Sequence, residues 1–224
     1  MKTIKTSAIV LRRTNYGEAD RVLQLLTPEG KLSVIARGVR REKSKLAGGI
    51  ELFALCDVNI ANGKGEIGTL ISSRLAHYFS HIVEDYDKTK FAYEVIRLVS
   101  AIGDSVDGPE WYDTLAEVLA GLDSKSISLN MVKIWFYLRY EALLGYEFNL
   151  LTDTRGDKLE SNKKYHYDMN EKTLAPDEAG LITGEHIKLL RLIAAKPLKI
   201  IAQIGGAEAI SGDCLTVVLQ HSSI

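Results

Sequence analysis

The chain has 224 residues, 46% hydrophobic and 25% charged, proportions that exclude disordered and fibrous classes and leave room for one large core or two modest ones. No uninterrupted apolar stretch approaches the roughly 18–20 residues that cross a bilayer, and Met1-Lys2-Thr3-Ile4-Lys5 lacks the apolar core of a secretion signal, so a cytoplasmic protein without membrane contact is expected. The net charge of -1 hides a strong asymmetry: up to Lys45 there are eleven basic residues against four acidic ones, which leaves -8 on the remainder, and a positive field concentrated in this way suits a polyanion.

From Thr3 to about Ala76 short apolar runs alternate with glycine-bearing turns, an all-β signal. Strands are predicted near Lys5–Arg12, Arg21–Thr27 and Lys31–Arg37, the second and third joined through Pro28-Glu29-Gly30 as a meander. A polar, basic run from Gly38 to Lys45 reads as a loop, and Gly48-Gly49 as the return to extended structure. Strand four is expected near Leu52–Ala61, then a turn at Asn62-Gly63-Lys64-Gly65, then strand five near Gly68–Arg74. Five strands in about 75 residues fit a partly open barrel of the oligonucleotide-binding (OB) class.

After Ala76 the period turns helical, with one stripe at Phe91, Val95, Leu98 and Val99 and another at Leu115, Val118, Leu119 and Leu122. Pro109 opens the second helix, and a third, Leu129–Leu144, stops at Gly145. Between Tyr146 and Leu181 the chain is polar and aperiodic, apart from a small hairpin at Lys164–Tyr167 and Thr173–Ala175. A helix capped by Thr183, with Glu185 in its first turn, runs to Pro197, and one or two further helical turns are expected between Leu198 and Leu219. The segment from Ala207 onward is apolar enough to be a packed helix or a docking strip. The predicted class is α+β: a barrel over residues 1–78, then a mostly helical domain over residues 79–224 with an inserted knuckle at about 147–182.

Ala8-Ile9-Val10-Leu11-Arg12-Arg13, Tyr16-Gly17-Glu18-Ala19-Asp20-Arg21, Leu26 to Lys31, Ala36 to Arg41 and Lys43-Ser44-Lys45-Leu46 together resemble the N-terminal domain of the RecO family. Gly49-Ile50-Glu51-Leu52-Phe53, Gly63-Lys64-Gly65 and Leu143-Leu144-Gly145-Tyr146 extend the likeness over most of the chain. The resemblance implies an OB-fold joined to a helical domain and no enzymatic chemistry. It also implies a role in DNA repair and recombination: binding single- and double-stranded DNA, annealing strands, contacting single-strand-binding protein and working with RecR to load the RecA recombinase. Many relatives carry two Cys-x-x-Cys pairs in the knuckle. Here the first pair would fall at Asp153 and Gly156, and Tyr146–Leu181 holds no cysteine. His166 with Asp153, Asp157 and Asp168 is a poor substitute for thiolates, so a metal-free knuckle and no cofactor are expected. Cys56 and Cys214 read as buried hydrophobes.

A line of phosphates needs several cations on one face. Arg37, Arg40, Arg41, Lys43 and Lys45 supply them, with Arg12, Arg13, Arg21 and Lys31 nearby on the predicted barrel. Arginine grips phosphate through a planar fork, lysine through a mobile point charge, and Gly38 lets the backbone approach. Arg12 and Arg13 are adjacent on a strand and must face opposite ways, which makes Arg13 the weaker candidate. Tyr16 either stacks on a base or packs at its turn. Glu18, Asp20 and Arg21 read as a turn with a surface ion pair, because no histidine or nucleophile accompanies them. Gly63-Lys64-Gly65 is too short for a nucleotide-hydrolase phosphate loop. Trp135, Phe136, Tyr137 and Tyr140 bunch on one helix as core. The competing reading is a protein-interaction scaffold in which the acidic helical body docks a partner.

Overall fold

A computed structural model describes residues 2–62, 67–103 and 108–222, so the expected turn at Gly63-Lys64-Gly65 lies outside the described residues. Two compact units divide the chain, Met1–Asp123 and Ser124–Ile224.

The first unit is built on five strands: β1 (Lys2–Tyr16), β2 (Asp20–Thr27), β3 (Gly30–Ala36), β4 (Ala54–Asn62) and β5 (Ile67–Tyr78). β1 is long enough to serve two neighbours. Its first half pairs antiparallel with β4 and its second half with β2, the changeover falling at Ile9, which is opposite both Leu55 and Leu26. Pairing then continues through β3 and β5 to β4, giving the order β1-β2-β3-β5-β4. The OB-type sheet expected from the strand count is present, and the expected openness is confined to one thin seam, where β3 meets β5 in parallel over three residue pairs. Alternation sends Ala8, Val10, Leu23, Leu25, Val34, Ala36, Cys56, Val58, Ile60 and Leu70 inward, and Val39 and Ile50 from the β3–β4 connection join them.

Gly48-Gly49 does not reopen a strand as expected. Ala47–Gly49 forms a single 3-10 turn, with the chain pressed so closely on β5 that a Cβ at Gly49 would lie 2.6 Å from the Ser73 carbonyl carbon.

Helices α1 (Tyr86–Ala101) and α2 (Glu110–Asp123) complete this unit. Asp85 caps α1 by accepting hydrogen bonds from the backbone N–H groups of Asp87 and Lys88. Both predicted stripes are buried. The helices cover the outside of β1, β2 and β3: the Ser7 and Tyr112 hydroxyls meet at 2.6 Å, the Ser100 hydroxyl donates to Gln24, and Lys31 Nζ donates to the carbonyl oxygens of Ser100 and Ile102. Ile9 and Leu26, which the strand alternation turns away from the interior, are fully buried under this cover.

The second unit contains α3 (Leu129–Leu143), the hairpin β6 (Tyr165–Asp168) and β7 (Thr173–Pro176), then α4 (Gly184–Ala195), α5 (Leu198–Ile201) and α6 (Glu208–Ser222). Trp135, Phe136, Tyr137 and Tyr140 are all buried, as their clustering implied. Gly145 takes φ 87 just beyond α3, the left-handed stop that glycine adopts freely. Thr183 caps α4 in a reciprocal arrangement with His186. The end of the chain departs from expectation: α6 runs fifteen residues where one or two turns were predicted. Its buried positions are Ser211, Cys214, Val217, Val218 and His221, at helical spacing, but two of them are polar and obscure the apolar period.

His221 closes a buried polar triad. Its Nδ1 accepts from the Tyr167 hydroxyl at 3.0 Å, its Nε2 donates to the Tyr146 carbonyl at 2.8 Å, and Phe148 stacks on the ring at 4.7 Å. Burial, with a smaller push from Lys172, holds the imidazole below its ordinary value, against the pull of the Tyr146 carbonyl. Burial pushes the nearby Glu141 carboxyl the other way, upward. A histidine kept neutral when folded takes up its proton on unfolding, so its contribution is full above pH ~6.5 and is lost as pH falls from there toward the depressed folded value. Urea unfolding at pH 7.5 and 5.5 should show this acid loss, and His221→Asn should reduce it. An unchanged difference between the two pH values in the variant would remove His221 as its source.

Candidate nucleic-acid interface

The basic residues are organised by main-chain hydrogen bonds at one end of the barrel. Two connections meet there: the tight turn between β1 and β2, and the loop from Arg37 to Leu46 after β3. Asp20 Oδ1 accepts from the Gly38 N–H at 2.7 Å, Arg40 N donates to the Ala19 carbonyl at 2.9 Å, and Arg40 Nη1 donates to the Gly17 carbonyl at 3.2 Å. Gly17 and Gly38 have φ of 54° and 63°, the left-handed region where a side chain is penalised, which gives both glycines a local reason. Within the loop Arg41 N donates to the Gly38 carbonyl and Ser44 N to the Arg41 carbonyl, so the segment is a sequence of turns with its own internal bonds.

Arg37, Arg40, Arg41, Lys43 and Lys45 are exposed on this loop. The Arg41 stem lies over Gly38, with Cδ 3.6 Å from where a Cβ would stand. Arg21 lies at the adjoining end of β2, half-buried, with Nε donating to Asn15 Oδ1 at 3.1 Å. Six cations therefore face three carboxylates, Glu18, Asp20 and Glu42, across the turn and the loop, and the Asp20 carboxylate is engaged with a backbone N–H. Such a surface can hold several phosphates through forks and point charges.

The other candidates lie elsewhere. Arg12 and Arg13 face opposite ways, as expected of strand neighbours beyond the β1 irregularity between Val10 and Arg12. Arg12 is exposed opposite Gln24, whereas Arg13 pairs with Glu51 at 3.0 Å and donates to the Ile50 carbonyl. Lys31 is bound to carbonyls at the end of α1, where a cation complements the helix dipole. For Arg13 and Lys31 the structure thus shows a structural partner that sequence reading did not supply. The Glu18–Asp20–Arg21 group also differs from the expected surface ion pair: Asp20 fastens the two loops, and Arg21 binds Asn15. The signal for Asp20 was its place just after a glycine turn, eighteen residues before Gly38.

The knuckle does not fit a zinc ion. Gly156 offers no side-chain donor, and Asp153 Oδ1 already accepts from the N–H groups of Arg155 at 2.8 Å and Asp157 at 3.1 Å. Among the described residues no three His, Cys, Asp or Glu side chains gather to hold a metal. Asp153 is buried, and the loop it closes is tied to β7 by Thr154 N donating to the Leu174 carbonyl. The carboxylate does by hydrogen bonding what a metal would do by coordination. Chelator should leave thermal melting unchanged, while Asp153→Ala should cost about 1–3 kcal/mol, the worth of hydrogen bonds to a charged acceptor. A chelator-induced drop in melting temperature would contradict this.

Two family models match the chain: Recombination protein O N terminal over residues 1–79 and Recombination protein O C terminal over residues 83–221. A protein of Dehalococcoides mccartyi named DNA repair protein RecO is 31% identical over 197 residues, covering 84% of this chain and 77% of the relative. The DNA repair protein RecO of Roseiflexus sp. is 28% identical over 211 residues, 91% of this chain and 74% of the relative. That of Desulfatibacillum aliphaticivorans is 30% identical over 149 residues, 65% of this chain and 58% of its own length. No helix among the described residues is long and apolar enough to cross a membrane.

Proposed function

The chain belongs to the RecO family of DNA repair proteins, and from that premise we propose that it is a cytoplasmic recombination mediator that binds single- and double-stranded DNA and anneals complementary strands. Its partners in this reading are RecR, single-strand-binding protein and, through them, the RecA recombinase. The observation that carries the proposal is the pair of interlocked loops at the barrel end, which presents Arg37, Arg40, Arg41, Lys43 and Lys45 on a frame fixed by Asp20 and Gly38.

A surface of this kind works by holding and by neutralising charge; no bond is made or broken. Annealing must bring two polyanions together, and cations fixed on a stiff frame lower that repulsion while displacing condensed counterions from the strands. The acidic remainder of the chain favours confinement of the strand to the basic end.

The test is annealing of two complementary labelled oligonucleotides, followed by energy transfer. Purified protein should accelerate it at low salt, and the acceleration should fade as salt is raised. No binding and no acceleration at low salt would end this reading.

A further inference from the structure

We propose that Tyr16 is the residue by which this loop pair tells an unpaired base from a paired one. The inference rests on the DNA-binding reading above and deepens it.

Tyr16 is the last residue of β1 and stands opposite Asp20 across the three-residue turn Gly17-Glu18-Ala19. The residue is 60% exposed, so of the two readings open from the sequence, packing at the turn leaves much of Tyr16 in solvent. The turn itself is held: Asp20 accepts from Gly38, and Arg40 donates from its main chain to Ala19 and from its guanidinium to Gly17. The aromatic ring therefore stands one residue from a carbonyl that anchors an arginine, on a frame with few ways to move. Arg40 uses one of its five N–H donors in that anchor. The remainder can meet a phosphate while the neighbouring ring meets a base.

That combination matches one nucleotide of a single strand, with phosphate on the guanidinium and an unstacked base on the ring. Every base has a π-face, so the contact is indifferent to sequence. In a duplex those faces are already stacked, and the same surface can use only its cations. The exposed Tyr86, at the start of α1, is on no such frame and serves as the control.

The experiment uses the full chain, with anisotropy titrations at one low salt concentration against a labelled oligo-dT and a duplex of equal length. Tyr16→Ala should weaken single-strand binding about tenfold and change duplex binding less than about twofold, while Tyr16→Phe and Tyr86→Ala should bind the single strand as the parent does. Tyr16→Trp adds a direct readout, since Trp111 and Trp135 are only 6% and 1% exposed: its emission should be quenched on adding oligo-dT and much less on adding duplex. Equal losses on both DNAs, no loss on either, or unquenched emission at saturation would overturn the proposal while leaving DNA binding standing. A parent protein that binds neither DNA would overturn both readings together.

Discussion

Replacing Arg40, Arg41 and Lys43 together by alanine is expected to weaken binding to single strands of any sequence by roughly two orders of magnitude at low salt, at about 1 kcal/mol for each exposed cation removed from a phosphate. The salt dependence should flatten at the same time, because each neutralised phosphate adds about 0.7 units of slope on a single strand and about 0.9 on a duplex. Removing three such cations predicts a change of about 2 on single strands. The slope separates a missing phosphate partner from a damaged fold, since unfolding lowers the amplitude of binding and leaves the slope of the surviving protein intact. Arg13→Ala and Lys31→Ala provide the contrast. Their partners are Glu51 and the carbonyls of Ser100 and Ile102, so both should lower stability and leave the slope nearly unchanged. A slope that shifts with Lys31→Ala and stays put in the triple variant would move the interface to the barrel flank.

Trp135→Ala carries the largest expected loss of stability, about 3–5 kcal/mol, as for other buried aromatics removed without refilling. The ring is among the largest fully buried side chains, and its Nε1 donates to the Lys196 carbonyl at 2.9 Å. Lys196 follows α4 as its C-cap in extended backbone, φ -123° and ψ 151°, so its carbonyl leaves the helical ladder and finds its donor in the indole. Trp135→Phe should retain most of the packing and lose about 1 kcal/mol through the unsatisfied acceptor. Chemical denaturation of the second unit, read by near-ultraviolet dichroism, checks both values, and a cost under about 1 kcal/mol for the alanine variant would show that the site collapses around the gap.

What could be read in advance follows from how local each signal is. Turn residues and alternation placed all five strands, and Pro109, Gly145 and Thr183 marked helix ends through backbone preferences that need no tertiary partner. Strand lengths were less visible. β1 continues through Arg13-Thr14-Asn15-Tyr16 because β2 offers it a pairing edge, although nothing apolar in that stretch asks for a strand. α6 was underestimated for the opposite reason, since Ser211 and His221 are polar residues buried at core positions with hydrogen-bond partners elsewhere in the fold. At the candidate interface, charge was legible and its allocation was not. Alternation along a strand already sets Arg12 and Arg13 on opposite faces with Arg13 the weaker candidate, but its partners, Glu51 and the Ile50 carbonyl, are visible only in the fold. Lys31 could not be separated from the cluster without knowing where α1 ends.

The carboxylate that fastens the knuckle has a chemical consequence. Oxidants that damage DNA also attack zinc thiolates, releasing the ion and opening any loop that depends on it. In this chain the fastening atom is an oxygen of Asp153, which has no redox chemistry. The two thiols that remain are buried, and burial raises Cys56 to about 11 and Cys214 to about 12, so neither ionises to the reactive form near neutrality. The fastening of the knuckle thus offers peroxide no thiolate to oxidise, under the same stress that creates broken strands.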